Sequence, residues 1–280
     1  MEQKRPFIFR KNYPLMGAKF CSDSLSRTIN SIRSKAFSLK IKVNKNVVAK
    51  LCSKNRVNYI DFKNVTNPDI AYILGLLWAD GSVTFANNDA KTPQIKHTCV
   101  YYDSNCFDII FEKTGDWGTY SFENKKSIGK NKMNANWTSN RELGEYLIAN
   151  DYRDKCKSPS KILNNIPEKL HHHFYRGFFD GDGCITYYIK EEKYKAFSIL
   201  FTGASNQNWN FLSKLFDEMD IVYKIRKLSD SLGKSSQIYI WRQGDVNKFC
   251  EYMYNDSNDS FLKRKYNKYL ELIDYIKSMK

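Results

Sequence analysis

The 280-residue sequence predicts an α+β protein: two pseudo-symmetric αββαββα halves packed through paired central helices, preceded by a small N-terminal helical module. Three observations carry this. The segment Tyr175–Gly183 (YRGFFDGDG) has an echo about one hundred positions earlier at Ile73–Gly81 (ILGLLWADG), and repetition at a fixed offset marks two supersecondary units of one architecture. Each copy is followed by the same succession of strands and helices, visible as hydrophobic periodicity switching between two and 3.6 residues. Residues 14–43 carry a separate helix-turn-helix-like pattern.

In the two nonapeptides Gly75, Ala79, Asp80 and Gly81 stand at the same offsets as Gly177, Gly181, Asp182 and Gly183. Small residues four apart lie on one helical face and let a partner backbone approach closely. The aspartate that follows ends the helix, and the glycine after it is read as a left-handed cap. Packing the two helices through their small faces brings Asp80 and Asp182 together at one tip. Helix C-termini carry partial negative charge, so two carboxylates there need a cation. Oxygen ligands without paired histidines point to Mg2+, with Mn2+ as a substitute, rather than zinc.

Taken in order, Phe20–Leu25 is a short helix, Ser26 a turn and Thr28–Leu39 a second helix with an apolar stripe at Ile29, Ile32, Ala36 and Leu39. Its other face, with Asn30, Arg33 and Lys35, suits contact with DNA, and the pair resembles small helix-turn-helix modules of phage and mobile-element proteins. This module is assigned to residues 1–45 and a connector to 46–67, with Asn58–Phe62 as a short strand. Pro68 then starts the first central helix, and the first half runs over 68–157 with strands at Val83–Ala86, Gln94–Tyr102, Gly118–Glu123 and Lys132–Thr138. A polar Asn-Asn-Asp loop joins the first two strands, and helices cover Ser104–Lys113 and Arg141–Asn150. The second half, 158–280, has strands near Cys184–Ile189, Ala196–Thr202, Ile221–Leu228 and Gln237–Arg242, with helices at Asn206–Met219, Asp245–Tyr254 and Phe261–Lys277. On the fourth strand Met133, Ala135 and Trp137 alternate with Lys132, Asn134 and Asn136, which gives an apolar and a polar face. Tyr223 and Ile225 alternate with Lys224 and Arg226 in the same way.

Composition narrows the partner. With 45 Lys+Arg against 30 Asp+Glu the formal charge is +15 and the pI about 9.3, which favours a polyanion, although a lysine-rich soluble protein would show the same balance. No apolar run is long enough for a membrane span and the N-terminus lacks a signal core. Seven cysteines at scattered positions form no CxxC pair, so reduced thiols inside a cell are expected: the cytoplasm or nucleoid of a microbial or phage-infected host, or an organelle. His97, Cys99 and Cys106 match no zinc spacing and are assigned to a strand core, and His171–His173 to the solvated start of the second central helix.

The two nonapeptides, with the element order behind each, resemble the LAGLIDADG homing endonucleases over roughly Pro68 to the C-terminus. The resemblance implies a monomeric, single-chain pseudo-dimer that saddles a long, asymmetric double-stranded DNA target with two sheets and hydrolyses both strands across the minor groove. It makes Asp80 and Asp182 metal-binding and catalytic, and Gly75, Ala79, Gly177 and Gly181 the helix interface. It also asks for a lysine beside each scissile phosphate, for which Lys157 and Lys265 stand at comparable distances after their motifs, with Lys263 as the alternative to Lys265. Lys96, Lys132, Asn134, Asn136, Lys224, Arg226, Gln237 and Arg242 are the candidate DNA contacts of the sheets. One departure stands two positions before the final aspartate, where the second copy has Asp180 and the first Trp78. Two other functions stay open: an intron-encoded maturase that binds RNA, and a non-catalytic DNA-binding regulator.

Overall fold

The computed structural model describes residues 4–44, 57–85, 90, 92–124, 132–191, 194–230 and 233–279. The first half of the assigned connector, residues 46–56, and the Asn-Asn-Asp loop lie outside them. The chain divides into two compact units, Met1–Arg56 and Val57–Lys280.

In the first unit, helix α1 (Lys4–Leu25) is interrupted at Gly17, whose φ of 76° is open to glycine at no steric cost. Helix α2 (Ile29–Ser38) begins at Thr28, whose Oγ1 accepts from Ser31 N–H at 3.3 Å. Ser26, at φ 50°, makes the turn between them. Phe9, Tyr13, Cys21, Ile32 and Ala36 form the small core. Past the break at Gly17 the helix runs on to Leu25, close to the predicted Phe20–Leu25, while the helical stretch before the break, which brings Phe9 and Tyr13 to the core, was not predicted.

The second unit opens with α3 (Tyr59–Lys63), a short helix where a strand was predicted. Asn58 Oδ1 accepts from Ile60 N–H, and this cap turns the chain so that Phe62 enters the core. Then follow α4 (Pro68–Asp80), β1 (Gly81–Thr84), β2 (Gln94–Val100), α5 (Ser104–Glu112), β3 (Gly118–Glu123), β4 (Lys132–Ser139) and α6 (Arg141–Ala149). A short α7 (Ser160–Leu163) leads to the repeat: α8 (His171–Asp182), β5 (Gly183–Lys190), β6 (Tyr194–Ala204), α9 (Asn210–Glu218), β7 (Tyr223–Asp230), β8 (Gly233–Ile240) and α10 (Gln243–Tyr254). Helix α11 (Lys263–Ser278) follows.

The strands make two antiparallel sheets of identical topology, β1-β2-β4-β3 and β5-β6-β8-β7. One face of each packs on helices and joins a single apolar core with α4 and α8. Cross-strand register fixes which residues take that face. His97 opposes Asn136 and Cys99 opposes Asn134, so both asparagines point inward with His97, contrary to the predicted polar face. Asn134 Nδ2 donates to Asp108 Oδ1 at 2.9 Å and its Oδ1 accepts from Ser121, which offsets the burial of the amide. Met133, Ala135 and Trp137 take the other face. In the second sheet Lys224 opposes Tyr239 and Arg226 opposes Gln237 on the open face, as predicted, and Tyr223 packs against the core, but Ile225, opposite buried Ile238 on the edge strand, is half-exposed.

The glycines that end α4 and α8 are not left-handed caps. Gly81 (φ −74°) and Gly183 (φ −83°) are extended, and glycine is required there by crowding: a Cβ would meet Leu77 O at 2.4 Å or Phe179 Cδ2 at 2.2 Å. The three histidines are not a solvated start either. His171 Nε2 lies 3.0 Å from Leu163 O and 2.9 Å from Ile166 O, and buried His173 Nδ1 lies 2.7 Å from the Arg176 guanidinium. His97 and Cys99 are core residues as predicted, the imidazole stacked on Phe111 and edge-on to Phe107.

Candidate functional site

The site is made by how closely α4 and α8 approach. A Cβ at Gly75 would stand 1.9 Å from Phe174 O, and one at Gly177 2.0 Å from Tyr72 O. At the tip a Cβ on Gly181 would lie 2.3 Å from Ala79 Cβ and 3.3 Å from Asp80 Oδ2. All four small residues of the repeated motif therefore face each other across the helix pair. Asp80 and Asp182 end the two helices side by side on the exposed surface.

Protein atoms crowd both carboxyl groups and raise their pKa values. Asp182 is raised to about 6, first by this desolvation and then by the charge of Asp80. Two lysines oppose the effect. Lys155 Nζ donates to Ala79 O at 2.8 Å and to Gly81 O. Lys265 Nζ donates to Phe179 O at 2.6 Å, Asp180 O at 2.8 Å and Gly183 O at 2.5 Å. Each ammonium thus satisfies carbonyls that a helix end leaves unpaired and sits where the helix dipole favours a cation. Burial lowers both lysine pKa values to about 8, while the neighbouring aspartates pull the other way.

Of the two predicted lysines, Lys265 is at the site and Lys157 is not. Lys157 is exposed and paired with Asp151 and Asp154 at 3.3 and 3.4 Å, and Lys155 occupies the equivalent place. Lys263 stands in the first turn of α11, exposed, with no such contact to the tip. The sequence signal for Lys155 was weak, but Asp154 three residues before Lys157 already supplied that lysine with a local partner.

The remaining residues fall into two sets. Lys224, Arg226 and Gln237 line or adjoin an open groove of about 380 Å³ with Tyr188, Tyr239 and Trp241. Arg226 lies over the Tyr239 ring at 4.9 Å and donates to Gln237 Oε1 at 2.8 Å, and Lys224 lies over Trp241 at 5.2 Å. Lys96 shares the open face of the first sheet with Trp137. Lys132 stands at a strand end over the Tyr101 ring at 3.6 Å, and Arg242 is exposed just ahead of α10. In the first unit Asn30, Arg33 and Lys35 are exposed on α2.

The donor set fits a hard divalent cation: two carboxylates whose mutual repulsion it would relieve, and oxygen rather than nitrogen or sulfur throughout. Among the described residues no cluster of three or more His, Cys, Asp or Glu side chains could hold an ion. Further ligands would come from phosphate oxygens and water.

The twin αββαββα halves are joined through a small-residue helix pair that ends in paired aspartates. Residues 170–254, the second half from its motif onward, match the family described as LAGLIDADG-like domain, so the chain contains a LAGLIDADG-like domain. No curated protein matches the sequence. Among solved structures, the chain is similar to the I-SmaMI LAGLIDADG homing endonuclease bound to cleaved DNA, at 13% identity over 76% of this chain and 89% of that one, with a TM-score of 0.49. It is also similar to the LAGLIDADG meganuclease I-CpaMI bound to uncleaved DNA (14% identity, 76% and 92% covered, TM-score 0.48). A third is the I-LtrWI LAGLIDADG homing endonuclease bound to target DNA (12%, 78% and 92%, TM-score 0.47). No described helix is long and apolar enough to cross a membrane.

Proposed function

We propose that the chain is a site-specific homing endonuclease that hydrolyses both strands of a long, asymmetric DNA target in a divalent-metal-dependent reaction. The observation that carries this reading is the meeting of Asp80 and Asp182 at the tip of a glycine-packed helix pair, each flanked by a lysine on the neighbouring carbonyls. A regulator that only binds DNA has no need of two crowded carboxylates raised in pKa by their surroundings.

Asp80 and Asp182 would hold Mg2+, or Mn2+ in its place, and present it to the scissile phosphate. The bound ion supplies Lewis-acid polarisation of the phosphate and lowers the pKa of water. Lys155 and Lys265 offset charge that develops on the phosphoryl oxygens, a contribution that is large in a partly desolvated site. Lys224 and Arg226 neutralise backbone phosphates or reach base edges from the open sheet face, with Gln237, Tyr239 and Trp241 beside them. The exposed Asn30, Arg33 and Lys35 of α2 give the N-terminal unit its own DNA contact. One chain carries both acidic motifs, so it acts as a monomer on unlike half-sites.

The test is a supercoiled plasmid carrying the DNA that flanks the chain's own locus, incubated with Mg2+ or Mn2+. Linearisation at one place is expected. Asp80→Asn and Asp182→Asn should each lower cleavage at least ~10²-fold while DNA binding persists, the loss typical for removing an electrostatic stabiliser. Unchanged cutting in the doubly substituted chain would overturn the assignment of the aspartates, and no cutting by the native chain would overturn the reaction.

A further inference from the structure

The motif position two before each catalytic aspartate carries unlike residues, Trp78 in one half and Asp180 in the other, yet both do the same thing. Buried Asp180 Oδ2 accepts from Leu262 N–H at 2.8 Å and from Tyr72 O–H at 2.7 Å. Leu262 is the residue ahead of α11, three places before Lys265. In the other half, buried Trp78 packs edge-on against Tyr152 with ring centroids 5.1 Å apart, and Tyr152 O–H donates to Leu74 O at 2.9 Å. Tyr152 stands three places before Lys155.

We propose that Trp78 and Asp180 are positioning residues, each gripping the residue three places before its own half's lysine and so holding that ammonium on the carbonyls beside the catalytic aspartates. The two grips differ in kind. Asp180 acts through a charge-assisted hydrogen bond to a backbone N–H, which is directional and short. Trp78 acts through an aromatic edge contact on a side chain that is itself hydrogen-bonded to α4, which fixes distance more than direction.

Other contacts around Lys265 show how much of its segment is fastened. Arg176, fully buried, donates through Nε to Ser260 O at 2.7 Å and through NH1 to Met253 O at 2.6 Å. Ser260 Oγ donates to Asp69, and Lys113 Nζ donates to Asn258 O at 3.0 Å. These hold the segment between α10 and α11 from behind. The Asp180 bond holds the backbone at the start of α11, one turn from Lys265, where Arg264 Nε also donates to Asp103 at 3.1 Å from the exposed rim. The Lys155 segment is fastened differently, with Gln207 Nε2 donating to Lys155 O at 2.9 Å and Asn208 N–H to Cys156 O at 2.8 Å.

The inference rests on the proposed endonuclease only for its consequence in catalysis, and a first measurement avoids that dependence. The full chain is treated with an amine-acetylating reagent, and the modification of Lys155 and Lys265 is followed by peptide mass spectrometry. In the native chain both should react slowly, as their seats on the carbonyls require. Asp180→Asn, and Asp180→Ala if the amide keeps the bond to Leu262, should speed acetylation of Lys265 at least ~10-fold relative to Lys155, the size of losing a hydrogen bond to a charged group. Trp78→Leu should do the reverse. A variant that loosens the whole fold would expose both lysines together, so reciprocal change is the signature of positioning, and parallel change or none overturns the proposal.

The second measurement follows each strand in single-turnover cleavage. Asp180→Asn should slow one strand's nick more than the other, and Trp78→Leu the opposite strand's. Equal slowing of both strands would also overturn the proposal. A native chain that cuts nothing would sink the endonuclease reading, and the acetylation result would still decide the grips.

Discussion

Gly177→Ala tests whether backbone contact between α4 and α8 sets the geometry of the site. The added Cβ would stand 2.0 Å from Tyr72 O, 2.9 Å from Leu76 N and 2.9 Å from Tyr72 C, all backbone atoms that cannot rotate away. Relief to an ordinary contact needs a separation of more than ~1 Å along the whole helix pair, and overpacking of this kind costs about 1–3 kcal/mol, occasionally more. Alanine returns about 1 kcal/mol of helix propensity. With the clash at the upper end of its range, since no side chain can yield, the net loss is about 2 kcal/mol or more, or a Tm fall of roughly 4–8 °C. Gly244→Ala is the control: it lies in the first turn of α10 with nothing within 4 Å of a Cβ, so it should be neutral or slightly stabilising. Urea or thermal unfolding followed by circular dichroism measures both. A Gly177→Ala chain as stable as the native one would refute the claim that the helices touch at this glycine. A stable variant that still cuts at the native rate would further show that Asp80 and Asp182 need no such close approach.

Lys155→Met should reduce cleavage at least ~10²-fold and Lys157→Met by less than ~3-fold, because only Lys155 sits on the carbonyls beside Asp80; comparable losses in steady single-turnover assays would reverse that order. Cleavage should rise with pH through about 6, as Asp182 ionises and can hold metal, and fall above about 8, as Lys155 and Lys265 lose their protons. Buried His97, held neutral with a pKa of about 3 against 6.5, gives the opposite kind of readout. The unfolded chain binds a proton there between those values and the folded chain does not, so stability is lost as pH falls below 6.5, by about 1.4 kcal/mol per pH unit. His173, also near 3, adds a similar slope, and denaturation midpoints of His97→Leu across this range should fall with only the remaining one. Lys224→Ala and Arg226→Ala should each lower the slope of log K against log salt by about 1 and weaken DNA binding evenly if they contact phosphates; a changed sequence preference with an unchanged slope would place them on base edges instead.

Most of the architecture is legible in the sequence because it rests on local periodicity. Strand Gly118–Glu123 has its predicted bounds, and among the described residues the other predicted strands and helices of the two halves are displaced only at their ends, where fraying and cap geometry decide. The paired aspartates are legible because Gly75, Gly177 and Gly181 mark a helix face from composition alone. What failed needed information from outside the segment. Asn134 and Asn136 look solvated on their own strand, but Ile95, His97 and Cys99 on β2 fix the register, and Asp108 on α5 supplies the partner that makes a buried amide tolerable. Asn58–Phe62 alternates like a strand, but one side-chain cap outweighs so short a pattern. Lys157 and Lys155 are indistinguishable by spacing, and only the path of the chain after Tyr152 decides which one reaches the helix tip.

That path also explains why neither half is complete by itself. The loop bearing Lys155 belongs to the first half but is tied by Gln207 and Asn208 of the second. The helix bearing Lys265 belongs to the second half, but Arg264 Nε donates to Asp103 of the first at 3.1 Å, and the segment before it reaches Asp69 and Lys113. Helix packing through Gly75 and Gly177 aligns the carboxylates, while this crossed fastening aligns the ammonium groups, so the two requirements of the site are met by separate sets of contacts. A change that loosens the cross-ties should therefore move the lysines and leave Asp80 and Asp182 in place. Arg264→Ala, which removes one tie from the exposed rim, is expected to weaken cleavage while unfolding shifts by no more than about 1 kcal/mol, the upper end for a partly exposed ion pair. Equal cleavage by that variant would mean that the ties are redundant.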